Sequence, residues 1–598
     1  MPVKTLSDDM KLPSVNCMCS WSANNRKKIM KFLTTLFLAC TVVIVHAQEF
    51  KKPLEVENTS KPLEPPVDGQ QKTRDEANNN ILIESLKGIW VHRSAKDVVN
   101  PVEAFEGTRI SEPSKLTSTP VFKDMLNQYL NKPLSVGRLG HMMNEILSYF
   151  RLLDYPIVDV FAPEQDITEG VLQVVVKEAK IGKIHVTGNR FFSTGYVASA
   201  MRVEVGDLPH VPTIYEDANW LSENPFLRVQ PVFGPGKADA TTDLFLEVED
   251  TRPLRVFATY SNAGNDLVGE DQYSAGVNYG NLWGKGHQVS YQYTTGRSHD
   301  GLNAHAVSYK LPLHSRRQNL VFAASTTRTK ANQAGLAISG ESDEASVRYQ
   351  HPLSALPSGL EHALNFGFEW KRSKNALEFG FIPISDTTIE IGQAVIGYNG
   401  KFSGKWGKNS FDVSLVKNLP GIFRHQNDRD YEAVRAGADA DYTILRAGYQ
   451  HQAELPWKMN LVNNLQVQLS DNNLVSNEQL TVTGQGAVRG FEQGTFNNVD
   501  SGLVLRNDLY FPAFNIGDKD RWQPYVFFDY ANFRSRDRNL IMPNGSVSTS
   551  ESISSVGVGL QLKIKKLLTL STVWGEQLNN IDGIRKSEDF YIQATIQF

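Results

Sequence analysis

Cysteine is nearly absent from this 598-residue chain: Cys17, Cys19 and Cys40 are the three present, and all lie near the N-terminus. A mature chain that begins after them has no disulfide framework and no thiolate-bound metal. Long hydrophobic runs are equally scarce. The one candidate, Phe32–Val45, is about 14 residues, short of the ~20 that a spanning helix needs. With 21% charged residues and a mean hydropathy of −0.32, a multi-helix membrane protein is excluded. A barrel escapes that test, because its outward apolar and inward polar residues average out. Charge of one sign is also lacking. The net charge is −4, and removing residues 1–47, with six basic and two acidic groups, takes it to −8, which argues against nucleic acid.

Enzyme motifs are missing too. There is no His-Glu-x-x-His, no Gly-x-x-x-x-Gly-Lys and no Gly-x-Ser-x-Gly. The 13 histidines are scattered, and the acidic run Glu341–Glu344 reads as a solvated loop tip. The expectation is a non-enzyme with no catalytic residues, no cofactor and no metal.

What is present begins with an export signal. Arg26, Lys27, Lys28 and Lys31 precede the apolar run, and His46-Ala47 follows it, the pattern of a removable signal peptide over 1–47. Met30 is an alternative start. Cys40 raises a lipid anchor, but Val42–Val45 stays apolar where a tethered linker turns polar. Residues 48–80 read as a linker, Pro-rich to about Gln71 and then charged and Asn-rich. Its first part, Gln48–Ser60, includes Pro53 and shows only weak helical periodicity.

Residues 81–250 read as mixed α/β, in two successive β-α-α-β-β units, 81–180 and 181–250. Helical spacing recurs in Val121–Leu130, Val136–Phe150, Ser193–Met201 and Thr213–Leu221. Strands are expected at Gly88–Ser94, Tyr155–Phe161, Val171–Lys177, Lys183–Thr187, Leu227–Phe233 and Thr242–Glu249. The segment Ala95–Pro120 is long for a strand-to-helix connection.

After Asp250 strand-length segments alternate with period two, and no helical stretch of useful length appears. In the last segment Phe590, Ile592, Ile596 and Phe598 share one face, while Tyr591, Gln593, Thr595 and Gln597 share the other. An apolar face toward lipid and a polar face toward a wet interior is what a membrane strand requires. A soluble β-sandwich is the competing architecture, and its dry core fits this repeated alternation less well. The span 251–598 holds about 16 antiparallel strands of ~10 residues with connections of roughly 12. Phe598 then belongs to a last strand that closes a barrel.

One loop, Thr483-Gly-Gln-Gly-Ala-Val-Arg-Gly-Phe-Glu-Gln-Gly494, stands out between strands at about 460–470 and 501–511. Its glycines resemble a dinucleotide fingerprint, but strand-like sequence follows where a phosphate-binding helix is needed. Its centre, Val488-Arg489-Gly490-Phe491, resembles the tetrad of the superfamily that includes the barrel-assembly insertase and the two-partner secretion transporters. Pro524–Tyr530 resembles that superfamily's Phe-x-Asp strand, with Phe527 and Asp529 on one face. Phe161–Gly170 is similar to the end of a first POTRA domain in two-partner secretion transporters, Ile184–Ser193 to the start of a second, and Leu221–Phe226 to a helix-to-strand segment there.

The resemblance, to the haemolysin secretion/activation family, implies a membrane β-barrel preceded by two α+β POTRA domains. It places the barrel in the cell outer membrane and the POTRA domains in the periplasm. It implies a loop inside the lumen with Arg489 contacting Asp529, and recognition and passage of an unfolded exoprotein. Other partners expected are outer-membrane lipid and, during biogenesis, the barrel assembly machinery, around a monomer. The alternative is an assembly factor or insertase of the same superfamily, whose relatives carry three or more POTRA units; a diffusion porin is expected to have neither POTRA units nor tetrad.

Overall fold

The computed structural model describes residues 53–54 and 80–598, apart from 265–268, 300, 315–316, 334–335, 355, 357–358, 380–381, 493–498, 517–519, 535–539, 542–546, 549, 566 and 580–587. The expected signal sequence, and the linker except Pro53, Leu54 and Asn80, lie outside the described residues.

In the first α+β unit, helix Pro120–Asn127 starts where the Thr119 side chain accepts the Phe122 N–H, and Pro120 sits where no N–H is needed. Ser135 caps Val136–Leu152 in the same way. Phe122 and Leu126 on one helix and Met142, Ile146 and Phe150 on the other recur every fourth residue and are buried, the apolar stripes that pack the helices onto a sheet. That sheet has the order Gly107–Ile110, Gly88–His92, Val171–Glu178, Val158–Phe161.

The main sheet of the first unit thus has one strand more than expected, and Ile81–Ile83 and Leu134–Ser135 pair beside it as a small second sheet. Segment 95–120 contains Gly107–Ile110, which adds in parallel to the edge of Gly88–His92. Its route follows from a buried glutamine. The Gln173 side chain accepts the Val99 N–H at 3.0 Å and donates to the Val99 carbonyl at 2.7 Å, so the segment satisfies a polar group that the sheet alone leaves buried.

The second unit packs helices Thr194–Ser199 and Val211–Leu221 on a three-stranded sheet in the order Lys180–Thr187, Thr241–Asp250, Leu227–Pro235. Ser193 is the N-cap, as its sequence position suggests, and accepts the Tyr196 N–H.

Sixteen strand positions then close a barrel, from Leu254–Ser261 (first) to Glu588–Gln597 (sixteenth). The twelfth, Ser501–Tyr510, continues after a break as Phe514–Ile516, and both pair with the thirteenth, Asp520–Arg534. First and last strands pair antiparallel from Phe257↔Gln597 to Ser261↔Gln593. Val256 and Phe598 exchange backbone hydrogen bonds at 3.2 and 2.9 Å. Phe590, Ile596 and Phe598 are exposed on the outside with Ile592 on the same face, and Tyr591 is buried inside.

Two expectations for this region change. The connection between the ninth strand, Gly407–Asn418, and the tenth, Thr443–Leu455, contains a helix, Asp428–Val434. At seven residues it is too short to show a helical period. Glu341–Glu344 is not a loop tip: it lies within the sixth strand, Leu336–Pro352. The fifth to eighth strands run 16 to 23 residues, well past the ~10 that span a membrane, so charged residues sit on strand extensions. There Glu341 faces outward and pairs with Arg328 at 3.1 Å.

The second unit docks on the short turns that follow even-numbered strands. Asn224 Nδ2 donates to the Gly280 carbonyl at 2.7 Å, and Asn281 Nδ2 donates to the Phe191 carbonyl at 3.0 Å. Arg317 binds Glu216 at 2.9 Å and the Thr213 carbonyl at 3.2 Å, and also pairs with buried Asp217. Phe226 lies over Gly280, where a Cβ would meet its ring at 2.2 Å. The segments 184–193 and 221–226 therefore meet the barrel rim through Phe191, Asn224 and Phe226.

Candidate functional site: a loop docked inside the barrel

The eleventh strand, Met459–Ser470, leads into a connection of about thirty residues that folds back into the lumen before Ser501. Its tetrad is buried: Val488 and Phe491 are fully enclosed and Arg489 is 2% exposed. Val488 and Phe491 pack with Val482, Ala487 and Val499 of the same loop against Val504, Ala531, Phe533 and Ile553 of the wall. The thirteenth strand explains this. It turns Tyr525, Phe527, Asp529, Ala531 and Phe533 inward while Val526 and Phe528 face out, so this part of the wall offers the loop an apolar seat.

Asp529 accepts from Arg489 Nε and Nη2, each at 2.7 Å, and from the Arg489 backbone N–H at 3.1 Å. This is the paired fork geometry in which guanidinium–carboxylate bonds are strongest. Arg489 Nη2 also donates to Asp508 Oδ1 at 2.6 Å, and its Cζ lies 3.8 Å above the Phe527 ring. One cation is thus held by two carboxylates and an aromatic face. Removing one partner of such a buried set leaves charge uncompensated and costs about 3–5 kcal/mol.

Glycines let the loop approach this closely. Gly490 has φ +91°, and a Cβ there would meet backbone atoms of Gly575 and Glu576 at 3.0–3.1 Å. A Cβ on Gly575 would meet Gly490 N at 2.9 Å, and one on Gly557 would strike the Phe527 ring at 2.5 Å. Gly557 and Gly575 face each other across the fourteenth strand, Ser550–Ile564, and the fifteenth, Leu568–Gln577. From the sixteenth strand Tyr591 Oη donates to the Phe491 carbonyl at 3.1 Å.

Val488, Arg489, Gly490, Phe491, Phe527 and Asp529 are therefore brought together. Phe590, Ile592, Ile596 and Phe598 are not part of that site; they form the outer face of the closing strand. Reading the sequence alone missed Asp508, Tyr591, Gly557 and Gly575. Asp508 joins the site because it pairs directly with Phe527, and cross-strand register is not written in either strand. The glycines did carry a signal. Gly557 and Gly559 alternate with Val556, Val558 and Leu560, and glycine inside a strand marks close approach by another group. Among the described residues no group of three or more His, Cys, Asp or Glu side chains has the arrangement of a metal site.

At the end of the barrel beside the second unit, a cavity of about 470 Å³ is lined by Pro225, Phe226, Gln288, Ser290, Ser308 and Lys310 among others. On the same wall the Leu54 N–H donates to Gln292 Oε1 at 2.8 Å.

A family model described as haemolysin secretion/activation protein ShlB/FhaC/HecB matches residues 240–561, and one for the POTRA domain, ShlB-type, matches 107–179. The domain match begins at the added edge strand, leaving Gly88–His92 outside it. The heme/hemopexin transporter protein HuxB of Haemophilus influenzae is 21% identical over 479 residues, covering 78% of this chain and 82% of the relative. The outer membrane transporter CdiB of Dickeya dadantii is 22% identical over 394 residues, 65% of this chain and 69% of the relative. Among solved structures, CdiB from Escherichia coli superposes with a TM-score of 0.71 at 15% identity, covering 97% of this chain and all of that one. CdiB from Acinetobacter baumannii gives 0.64 at 14% identity, with 94% and 99% covered.

Proposed function

We propose that this chain, which belongs to the haemolysin secretion/activation protein family, binds an unfolded exoprotein through its POTRA units and passes it through the barrel lumen. The barrel lies in the outer membrane and the POTRA units in the periplasm. The observation that carries the reading is the loop docked inside a closed barrel, held by the Arg489–Asp529–Asp508 set, with two α+β units at the lumen's periplasmic end.

Each part has a physical role in that reading. The polar cavity beside Pro225 and Phe226 is where chain handed over by the second unit enters the lumen. Exposed Trp283, Trp406 and Trp457 all lie in turns after even-numbered strands, as an interfacial aromatic girdle in lipid requires. The tetrad holds the loop in the conformation that transport needs. With no nucleotide-binding motif in the sequence, folding of the exported partner outside the cell supplies the driving force.

Arg489→Ala tests the reading. A correctly inserted barrel, checked by its heat-modifiable mobility on gels, is expected to lose export of one secreted protein. Normal export from such a barrel would remove the tetrad from the mechanism. Broad loss of other outer-membrane proteins on deletion of the gene would favour an insertase instead.

A further inference from the structure

The same loop carries a second buried charge, ahead of the tetrad. Glu478 has no exposed side-chain surface. Its Oε1 accepts from Lys371 Nζ at 2.5 Å, and its Oε2 accepts from Arg446 Nη2 at 2.7 Å and Gln393 Nε2 at 3.4 Å. Its backbone carbonyl accepts from Gln468 Nε2 at 2.8 Å. Lys371 lies on the seventh strand, Glu361–Phe379, Gln393 on the eighth, Ile382–Gly404, and Arg446 on the tenth. Around them Glu369 binds Lys371 at 3.3 Å and Gln393 at 2.7 Å, and pairs with Arg348.

Position in the barrel gives this cluster its meaning. Glu478 is held by the seventh, eighth, tenth and eleventh strands, while the tetrad is held by the twelfth, thirteenth, fifteenth and sixteenth. The two ends of the loop are thus seated on separate, neighbouring arcs of the wall. Twelve residues join Glu478 to Gly490, and that length spans at most about 40 Å of extended chain. The near end is also seated by packing. Leu474 and Val475 of the loop and Tyr431 and Tyr442 of the 419–442 connection bury against Ile389, Ile391, Val395 and Val416 of the wall.

We propose that Glu478 is a second anchor of the loop, and that the loop is a strap tied to two separate arcs of the wall whose Glu478 end keeps the resting lumen sealed. The inference rests on the reading of the barrel as a polypeptide conduit. It adds a division of labour: the tetrad end fixes the loop for transport, and the Glu478 end governs leak. Replacing Glu478 with a neutral residue leaves Lys371 and Arg446 buried with less compensating charge, so the strap is freed on that side alone.

The test is single-channel conductance of the full chain in planar bilayers, with export measured in parallel. Glu478→Gln is expected to raise conductance several-fold, while Glu478→Asp, which keeps the charge, stays near the parent. Export continues in both variants once their barrels are shown to be inserted. Parent-like conductance for Glu478→Gln would overturn the proposal, and so would equal leak from the Gln and Asp variants. Conductance is read without any exoprotein, so failure of the transport reading appears separately, as export unaffected even by Arg489→Ala.

Discussion

Among the described residues Arg489 is the largest fully enclosed side chain, and its partners set what a substitution there does. Lysine keeps the charge but loses the fork that grips Asp529 at both oxygens. Arg489→Lys is therefore expected to give export between that of the parent and Arg489→Ala, measured as secreted protein per inserted barrel. Gly575 works from the other side of the contact. Gly575→Val forces a branched side chain against Gly490 N and the Phe527 ring, overpacking that costs about 1–3 kcal/mol. Limited proteolysis is expected to cut the 480–500 loop faster in that variant than in the parent. Equal rates would mean that Gly490 and Gly575 do not hold the loop down. Arg489 and Asp529 were legible as a pair through the resemblance of the tetrad and the Phe-x-Asp strand, which fits the need of a charge inside a barrel for a partner. Asp508 was not, because it belongs to the site through strand register alone.

At the scale of elements, the two POTRA sheets offer unequal edges to an extended exoprotein segment. In the second unit, Thr251 N–H bonds the Phe226 carbonyl and Gly236 N–H bonds the Thr241 carbonyl, so the backbone polar groups of Leu227, Val229, Pro231, Phe233 and Pro235 face the free edge of the sheet. Pro231 and Pro235 have no N–H, and those of Leu227 and Val229 are taken by the Asn224 carbonyl and Ser222 Oγ. Proline and engaged donors blunt an edge against strand addition. In the first unit, the Ala179 N–H bonds the Ile157 carbonyl, which turns the Val160 N–H of edge strand Val158–Phe161 outward. Of these two edges, that of the first unit is therefore the one expected to pair by β-augmentation. Val160→Pro should weaken binding of an exoprotein peptide by up to about tenfold, the worth of one net hydrogen bond, and Phe233→Pro should leave it unchanged. Calorimetry on the full chain in detergent reads both; a loss only with Phe233→Pro would reverse the assignment. Helices and strands here followed the sequence closely, because caps such as Ser193 and fourfold-spaced apolar residues are local signals. The strand Gly107–Ile110 was hidden because its place depends on Gln173, more than sixty residues away.

Over the whole molecule, the chain reads as one path. In the proposed function the periplasmic units deliver the exoprotein at Pro225 and Phe226; the lumen wall beyond is polar, and the docked loop divides the interior. Barrel, closing strand and order of units were legible because alternation with period two and the order of motifs survive without three-dimensional information. The second tether was not, since Glu478 is one acid among many until strands seven and ten bring Lys371 and Arg446 to it. The central claim is passage of a polypeptide through the lumen. Photo-crosslinking tests it most directly. The secreted protein lost on gene deletion is fused to a stably folded domain that arrests it in transit, and a photoreactive residue is placed in the barrel. Placed at Ser346, which lines an inner-wall cavity with Arg348, Glu369 and Lys371, it should capture the arrested chain; at outward-facing Ile596 on the closing seam it should not. Capture at Ile596 with none at Ser346 would contradict the account and place the substrate's exit sideways, into the membrane.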